Sequence, residues 1–401
     1  MRVFQINAVP YGSTGKIMFG IHSVLEKSNV SSEMACGYSY HPISELNGKY
    51  IKVGNAVDKK LHLLYTKYFG YHGTRSKMAT RSLIKKIKKF NPDIIHLHNL
   101  HSGFINLPML FDFIKKEGKK IVWTLHDCWA FTGHCPYYLN AKCEKWKNGC
   151  YECPIHNEYP ASVVDKSKEM YALKKEWFSG VKNMTIVTPS KWLKSQVEQS
   201  FLGGYPVKVI NNGINLSVFR PRESEFRAKF SLENKFIVLG VAYEWGKRKG
   251  LDVFIELSKR LGSDYKIVLV GVSKDEQKIL PESILSLCKT QNAIELAKIY
   301  STADLFVIPT REDNFPTVNV ESLACGTPVI TFETGGSPEV ANDTCGITVP
   351  LDDVDELEKA IIKVKEEKPF SEKDCVCRAS TYDEQIKFLE YLDLYKQLNQ
   401  E

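Results

Sequence analysis

The stretch Arg311-Glu312-Asp313-Asn314-Phe315-Pro316-Thr317-Val318-Asn319-Val320-Glu321, continuing as Ser322-Leu323-Ala324-Cys325-Gly326-Thr327-Pro328, decides the fold. The apolar run at 305–309 before it reads as a buried strand; an acidic loop follows, and a helix begins near Thr317. Gly326 stops that helix, and Pro328 opens the next apolar run at 328–332. Strand, loop, helix and strand in that order belong to a parallel sheet, with the loop at the end where α/β folds bind ligands. The amides that open the helix favour an anion, while Asp313 and Glu321 can accept hydrogen bonds from sugar hydroxyls. Gly335-Gly336-Ser337-Pro338-Glu339 repeats the pattern, with Ser337 as cap and Pro338 at the first helical position. Two helix N-termini opening on one cleft can hold a diphosphate.

Outward from this unit, strand and helix patterns alternate along almost the whole chain. Strands are expected at 2–7, 93–98, 120–125 and 184–188, then at 235–241 and 265–270. Helices at 251–261, 293–301 and 317–325 separate the later strands. The expected class is α/β, with two Rossmann-like parallel-sheet domains facing a cleft. The expected division is 1–200, 201–380 and a closing helix at 381–401, whose apolar side needs a surface to cover. Residues 137–181, within an insertion at about 132–181, read poorly as regular structure and call for a staple other than a core.

At 401 residues, 43% hydrophobic and 25% charged, the composition excludes a disordered chain, a collagen and a coiled coil. The net charge of +7 hides an asymmetry: residues 1–195 carry 29 Lys and Arg against 14 Asp and Glu, while the remainder is acidic. Such a split suggests two domains facing different partners, the basic one facing phosphates or anionic surfaces. No signal-like segment opens the chain and no run suits a membrane span, so a cytoplasmic protein is expected.

Gly12-Ser13-Thr14-Gly15-Lys16 follows the first strand, where backbone amides can approach a phosphate or sugar. Ile17 stands where a P-loop needs Ser or Thr, which excludes that motif. His96, His98 and His101 cluster at one strand end and His126-Asp127 at the next. His96 and His98 share a face, so a metal pair is one reading and buried structural histidines the other.

Together these motifs resemble the retaining glycosyltransferases of family 4, which have the GT-B fold. Asp313 and Glu321 have the family's carboxylate spacing ahead of a Cys-Gly-Thr-Pro turn, with Asp313 where the family usually has Glu. Further landmarks match at Gly12–Gly15, His126, Asn212-Gly213-Ile214-Asn215, Lys249-Gly250-Leu251-Asp252 and Tyr300-Ser301-Thr302-Ala303-Asp304. The run from Trp123 to Pro154 is similar to transferases that build bacterial surface polysaccharides such as colanic acid and capsule. The resemblance implies a nucleotide-sugar donor (UDP- or GDP-sugar), a saccharide or lipid-linked glycan acceptor, and no metal in catalysis. Residue by residue, it implies that Glu321 binds the ribose, Asp313 the donated sugar, and Asn314, Phe315, Pro316 and Thr317 sugar and phosphate through their amides. Lys249 grips the diphosphate, Gly12 and Gly15 approach it, and His126 sits beside the reacting carbon. One departure is Tyr243, where the family usually has an Arg; Arg248 or Lys247 is the expected substitute. The Asp353-Val354-Asp355 triplet reads as a solvated helix start rather than a metal motif.

Cys135, Cys143, Cys150 and Cys153 leave two readings open, a structural zinc or redox-inert buried thiols. The stretch 59–91 interleaves Lys and Arg with Leu and Tyr, which suits either an anionic membrane surface or an ordinary solvated helix face. Two rival functions stand beside the transferase: a nucleotide-binding GT-B scaffold without activity, and a zinc-stapled basic module for nucleic acid. The acidic second half opposes the latter, because carboxylates repel a phosphate backbone.

Overall fold

The structure, a computed structural model, describes residues 1–39 and 48–400. It divides into two units, Met1–Asn211 with Lys387–Glu401, and Asn212–Ile386. Each unit is built on one parallel sheet.

In the first unit the strands are β1 (Arg2–Asn7), β2 (Ser31–Gly37), β3 (Ile51–Val53), β4 (Ile94–Leu97), β5 (Lys120–Thr124), β6 (Met184–Thr188) and β7 (Val207–Val209). They lie in the order β3-β2-β1-β4-β5-β6-β7. The order reverses between β1 and β4, and at such a switch point the connections leave on opposite faces and open a crevice. β1 and β4 pair in parallel with Gln5 beside His96 and Ile6 beside Leu97. Both strands are buried on each face, and Gln5, Asn7 and His96 are the polar residues sealed among their apolar neighbours. The helix Glu384–Gln400 closes one face: Phe388, Tyr391, Leu392, Leu394 and Tyr395 are buried in one cluster with Val3, Ile21, Leu25, Ile94 and Val122.

The second unit has β8 (Phe236–Val241), β9 (Tyr265–Val270), β10 (Ile284–Leu287), β11 (Leu305–Ile308), β12 (Val329–Phe332) and β13 (Gly346–Val349). Their order is β10-β9-β8-β11-β12-β13, so the switch point lies between β8 and β11. The helices Leu251–Arg260, Ala293–Thr302 and Thr317–Ala324 stand where the apolar spacing puts them, within a residue or so at each end.

Two expectations are corrected here. The insertion contains the helix Ser167–Phe178, and its buried aromatics join the first unit's core. Trp146 is buried against Phe131 and Tyr138, with ring centroids 5.2 and 5.0 Å away. Lone aromatics scattered through a loop have no period to read, yet each one that is buried contributes ~2–3 kcal/mol of hydrophobic stabilisation. Second, Ser337–Glu339 is a three-residue 3-10 turn, not a helix. Ser337 does not cap it, because its hydroxyl is buried at 2.6 Å from that of Thr331. The Asp353 triplet behaves as read: Asp353 caps the helix Val354–Glu367 through the Glu356 amide at 2.9 Å, and Asp355 pairs with Arg260.

Candidate active site

The carboxyl ends of β8 and β11 bring Lys249 and the acidic loop together. Lys249 Nζ lies 2.5 Å from Asp313 Oδ2, with each side chain about one-fifth exposed (20% and 21%). The approach depends on glycine at two positions. Gly250 has φ +76°, and a Cβ there would meet the Pro309 carbonyl oxygen at 2.2 Å, so Lys249 sits directly over the end of β11. Gly335 has φ +55°, and its Cβ would meet the Asp313 carbonyl oxygen at 1.9 Å. The Gly336 amide donates to that same oxygen at 3.1 Å, and the Thr334 hydroxyl to the Arg311 carbonyl at 2.9 Å. The glycine pair therefore holds the acidic loop from below instead of starting a second helix.

The helix Thr317–Ala324 follows Pro316 with no side-chain cap, so its first amides are available to a ligand. Asn314, Phe315 and Pro316 are buried as they enter it. Glu321, one turn on, accepts a hydrogen bond from the Tyr300 hydroxyl at 3.3 Å. Burial, and then the Glu321 charge, push that phenol well above its ordinary pKa, so it stays a donor. Arg248 Nη1 donates to the Glu312 carbonyl at 3.2 Å and so lies against the same loop. Tyr243 is 82% exposed, with the Lys289 ammonium 4.3 Å from its ring centre.

At the first unit's switch point, Gly12 is exposed and opens the helix Gly12–Lys27 directly. The expected glycine loop is thus the helix's first turn. Gly15 is buried, and a Cβ there would meet the Pro10 backbone at 2.5 Å. Asn7 at the end of β1 braces this turn: its amide donates to Thr14 Oγ1 at 3.2 Å, and its oxygen accepts from the Ala8 amide at 2.9 Å. The histidines form a buried chain. His96 meets Thr124 Oγ1 at 2.8 Å and the Tyr395 hydroxyl at 2.6 Å. His98 meets Gln5 Oε1 and His126 Nε2, each at 3.2 Å. All four ring nitrogens of His96 and His98 thus bond within the protein, which corrects the reading of these two as a metal pair. Burial lowers the pKa of all three rings, His126 to about 4, so they are neutral at pH 7. Asp127 serves a different ring, His101, at 3.0 Å.

Cys135, Cys143, Cys150 and Cys153 line one small cavity in the insertion with Trp146 and Tyr138. The Gly133 amide donates to Cys150 Sγ at 3.1 Å. Among the described residues no three His, Cys, Asp or Glu side chains are grouped so as to hold a metal ion. Beside them Lys174 is fully buried, its ammonium donating to the Trp129 and Thr132 carbonyls at 2.7 and 3.0 Å and lying 3.6 Å from the Trp129 ring centre. Gln5, Asn7 and Lys174 were not singled out from sequence, and Tyr300 entered only within a family landmark. The signal that could have found the first two is a polar residue at alternate positions of an otherwise apolar buried strand.

Two parallel sheets, each with polar groups gathered at its switch point, are the architecture of the GT-B fold. The family description "Glycosyltransferase Family 4" matches residues 58–218, and "Glycosyl transferases group 1" matches residues 222–379. Together the two matches span most of the chain, which belongs to the glycosyltransferases. It is 27% identical over 283 residues to the "Putative colanic acid biosynthesis glycosyl transferase WcaC" of Escherichia coli, a match spanning 66% of each chain. Among solved structures it is similar to a sucrose-phosphate synthase from Thermosynechococcus elongatus, with TM-score 0.71 and 16% identity, covering 99% of this chain and 98% of that one. It is also similar to Anabaena HepE in complex with UDP, with TM-score 0.66 and 14% identity, covering 99% of both. At these identities the two structures establish the fold. No helix among the described residues is long and apolar enough to cross a membrane.

Proposed function

We propose that this chain transfers a sugar from a nucleotide-diphosphate donor to a saccharide or lipid-linked glycan acceptor in bacterial surface-polysaccharide synthesis, with retention at the anomeric carbon and without a metal. The observation that carries this reading is the Lys249–Asp313 pair beside the uncapped start of the helix Thr317–Ala324. When the sugar–phosphate bond breaks, negative charge grows on the departing diphosphate. A fixed ammonium and aligned amides stabilise that charge without reorganising. Arg248, already against the loop, takes the place of the arginine that Tyr243 replaces. Asp313 holds the donated sugar and Glu321 the ribose. The second unit is thus the donor unit, and the first, with His126 and the turn at Gly12–Gly15, is the acceptor unit. The C1–O bond to phosphate breaks while the acceptor oxygen bonds C1 on the same face, and the acceptor proton passes to the leaving phosphate.

The UDP bound by HepE and the colanic acid for which WcaC is named support the donor and acceptor classes. Residues 59–92 contain ten Lys and Arg and no Asp or Glu, with Leu61, Leu64, Tyr68 and Phe69 exposed. This suits a cytoplasmic protein resting on an anionic membrane, where a lipid-linked acceptor is found. Flotation with anionic liposomes at low salt tests that placement, and unbound protein would remove it. A structural zinc on Cys135, Cys143, Cys150 and Cys153 would require these four thiols to draw together from where they line the cavity. Elemental analysis should find about one zinc per chain, lost on Cys150→Ser; a metal-free, folded protein contradicts it.

The transferase reading itself is tested by incubating the protein with UDP- and GDP-sugars and glycan acceptors. Proton NMR should reveal product with the donor's anomeric configuration. Inverted product overturns retention, and absence of transfer with every donor overturns the activity.

A further inference from the structure

The hydrogen bonds around His98 admit one proton assignment. Gln5 Nε2 donates to the Met18 carbonyl at 3.3 Å, so the end of the amide that faces His98 is its oxygen, 3.2 Å from His98 Nε2. An amide oxygen only accepts, which places the His98 proton on Nε2. His98 is 1% exposed, and burial, then the neighbouring His96 and His126, keep it neutral. Its Nδ1 is therefore a lone pair, and that atom lies 3.2 Å from His126 Nε2. His126 must donate there. The two rings lie 14° from parallel with centroids 5.5 Å apart, as expected for an N–H···N bond made in the ring plane.

The neighbouring ring is fixed by the same logic. Thr124 Oγ1 donates to the Tyr391 hydroxyl at 3.3 Å, so it accepts from His96 Nε2 at 2.8 Å. His96 Nδ1 then accepts from the Tyr395 hydroxyl at 2.6 Å. His96 and His98 lie with ring centroids 4.0 Å apart, a spacing that two neutral rings tolerate and two cations do not.

We propose that Gln5 and His98 are positioning residues that lock neutral His126 in the Nε2–H tautomer, with its one proton committed to His98. The consequence for sugar transfer rests on the proposed transferase reading; the tautomer does not. The consequence for the chemistry is specific. His126 has its one proton engaged with His98 and none on Nδ1, so it supplies no proton to the leaving phosphate. The proton of the acceptor hydroxyl must reach the phosphate oxygen directly.

The test is long-range proton–nitrogen NMR of the full chain labelled with 15N-histidine, with peaks assigned by their loss in His98→Asn and His126→Asn. At neutral pH, His126 should have a protonated Nε2 and an unprotonated Nδ1. Gln5→Met removes the acceptor, frees His98 to carry its proton on Nδ1, and should convert His126 toward the Nδ1–H form. In the same variant kcat should fall roughly tenfold, with the KM for the donor much less affected. A wild-type His126 protonated on Nδ1 overturns the lock, whatever the variants do. An unchanged His126 pattern in folded Gln5→Met overturns the role of Gln5. A chain that binds no nucleotide-sugar but has the expected tautomer contradicts the transferase reading and leaves the lock standing.

Discussion

At the switch point of the first sheet the histidines between β1, β4 and β5 are neutral: His96 and His98 are at most 1% exposed and satisfied by Gln5, Thr124, Tyr395 and His126. At the switch point of the second sheet the paired groups are charged, and Lys249 and Asp313 keep about a fifth of their side-chain surface in water (20% and 21%). The contrast follows from desolvation. A neutral imidazole with both nitrogens bonded can be buried at little cost, whereas an unpaired charge cannot, and even a paired one gains less than its desolvation costs when fully sealed. The charged site thus stays open to a ligand whose own charge replaces part of the lost hydration. The neutral site is rigid in advance. Topology locates both sites, and side-chain charge separates their roles.

The largest way to break this comparison is Lys249→Ala. Removing a preorganised positive group from developing phosphate charge should lower turnover ~10²–10³-fold, measured as donor consumption with acceptor present. Unchanged turnover would place the diphosphate elsewhere. Glu321→Ala leaves the buried Tyr300 hydroxyl without its carboxylate and deletes the proposed ribose contact. Binding of nucleotide-sugar should weaken by ~1.5–3 kcal/mol, read by calorimetry, with the fold retained.

Lys174 sharpens the comparison, since it is a charge in the first unit that is sealed from water. Burial pushes its ammonium down to about 7, opposed by the nearby Cys150, Cys135 and Asp127. Between about pH 7 and its ordinary value of 10.5, the unfolded chain holds a proton that the folded chain has released. Stability should therefore rise with pH through that window, by at most ~1.4 kcal/mol per pH unit, and level off outside it. Denaturant titrations of wild type minus Lys174→Met isolate the slope; no difference between the two would mean that the ammonium stays charged. The smallest effect is Tyr395→Phe, which deletes the hydroxyl donor to His96 Nδ1. It should cost ~1 kcal/mol in thermal unfolding and leave donor binding unchanged.

Much of this was legible in the sequence, and the parts that were not share a cause. The interior strands β1, β6 and β9 match the expected bounds residue for residue, because apolar and β-branched residues mark each of them. The three-residue edge strands β3 and β7 carry no period, and β2 begins with Ser31, Ser32 and Glu33, which resemble a loop. In the second unit, Lys249, Asp313 and the residues leading into the helix at Thr317 do meet around one loop, while Ser337 is spent on Thr331. Gln5 was invisible as a partner of His98, which is 93 residues away in sequence. Only strand order brings them together. The insertion misled for the same reason, as Phe131, Tyr138 and Trp146 join the first unit's core through tertiary contact alone.

The central claim is that the charged switch point binds a nucleotide diphosphate sugar. Its most direct test is the melting temperature of wild type and Glu321→Ala against UDP-, GDP- and ADP-sugars. At a hundredfold excess over the dissociation constant, the matching donor should stabilise wild type by ~2.7 kcal/mol. At the same concentration the variant should gain much less. If no nucleotide-sugar raises the melting temperature of the wild-type chain, or if Glu321→Ala responds equally, the account is wrong.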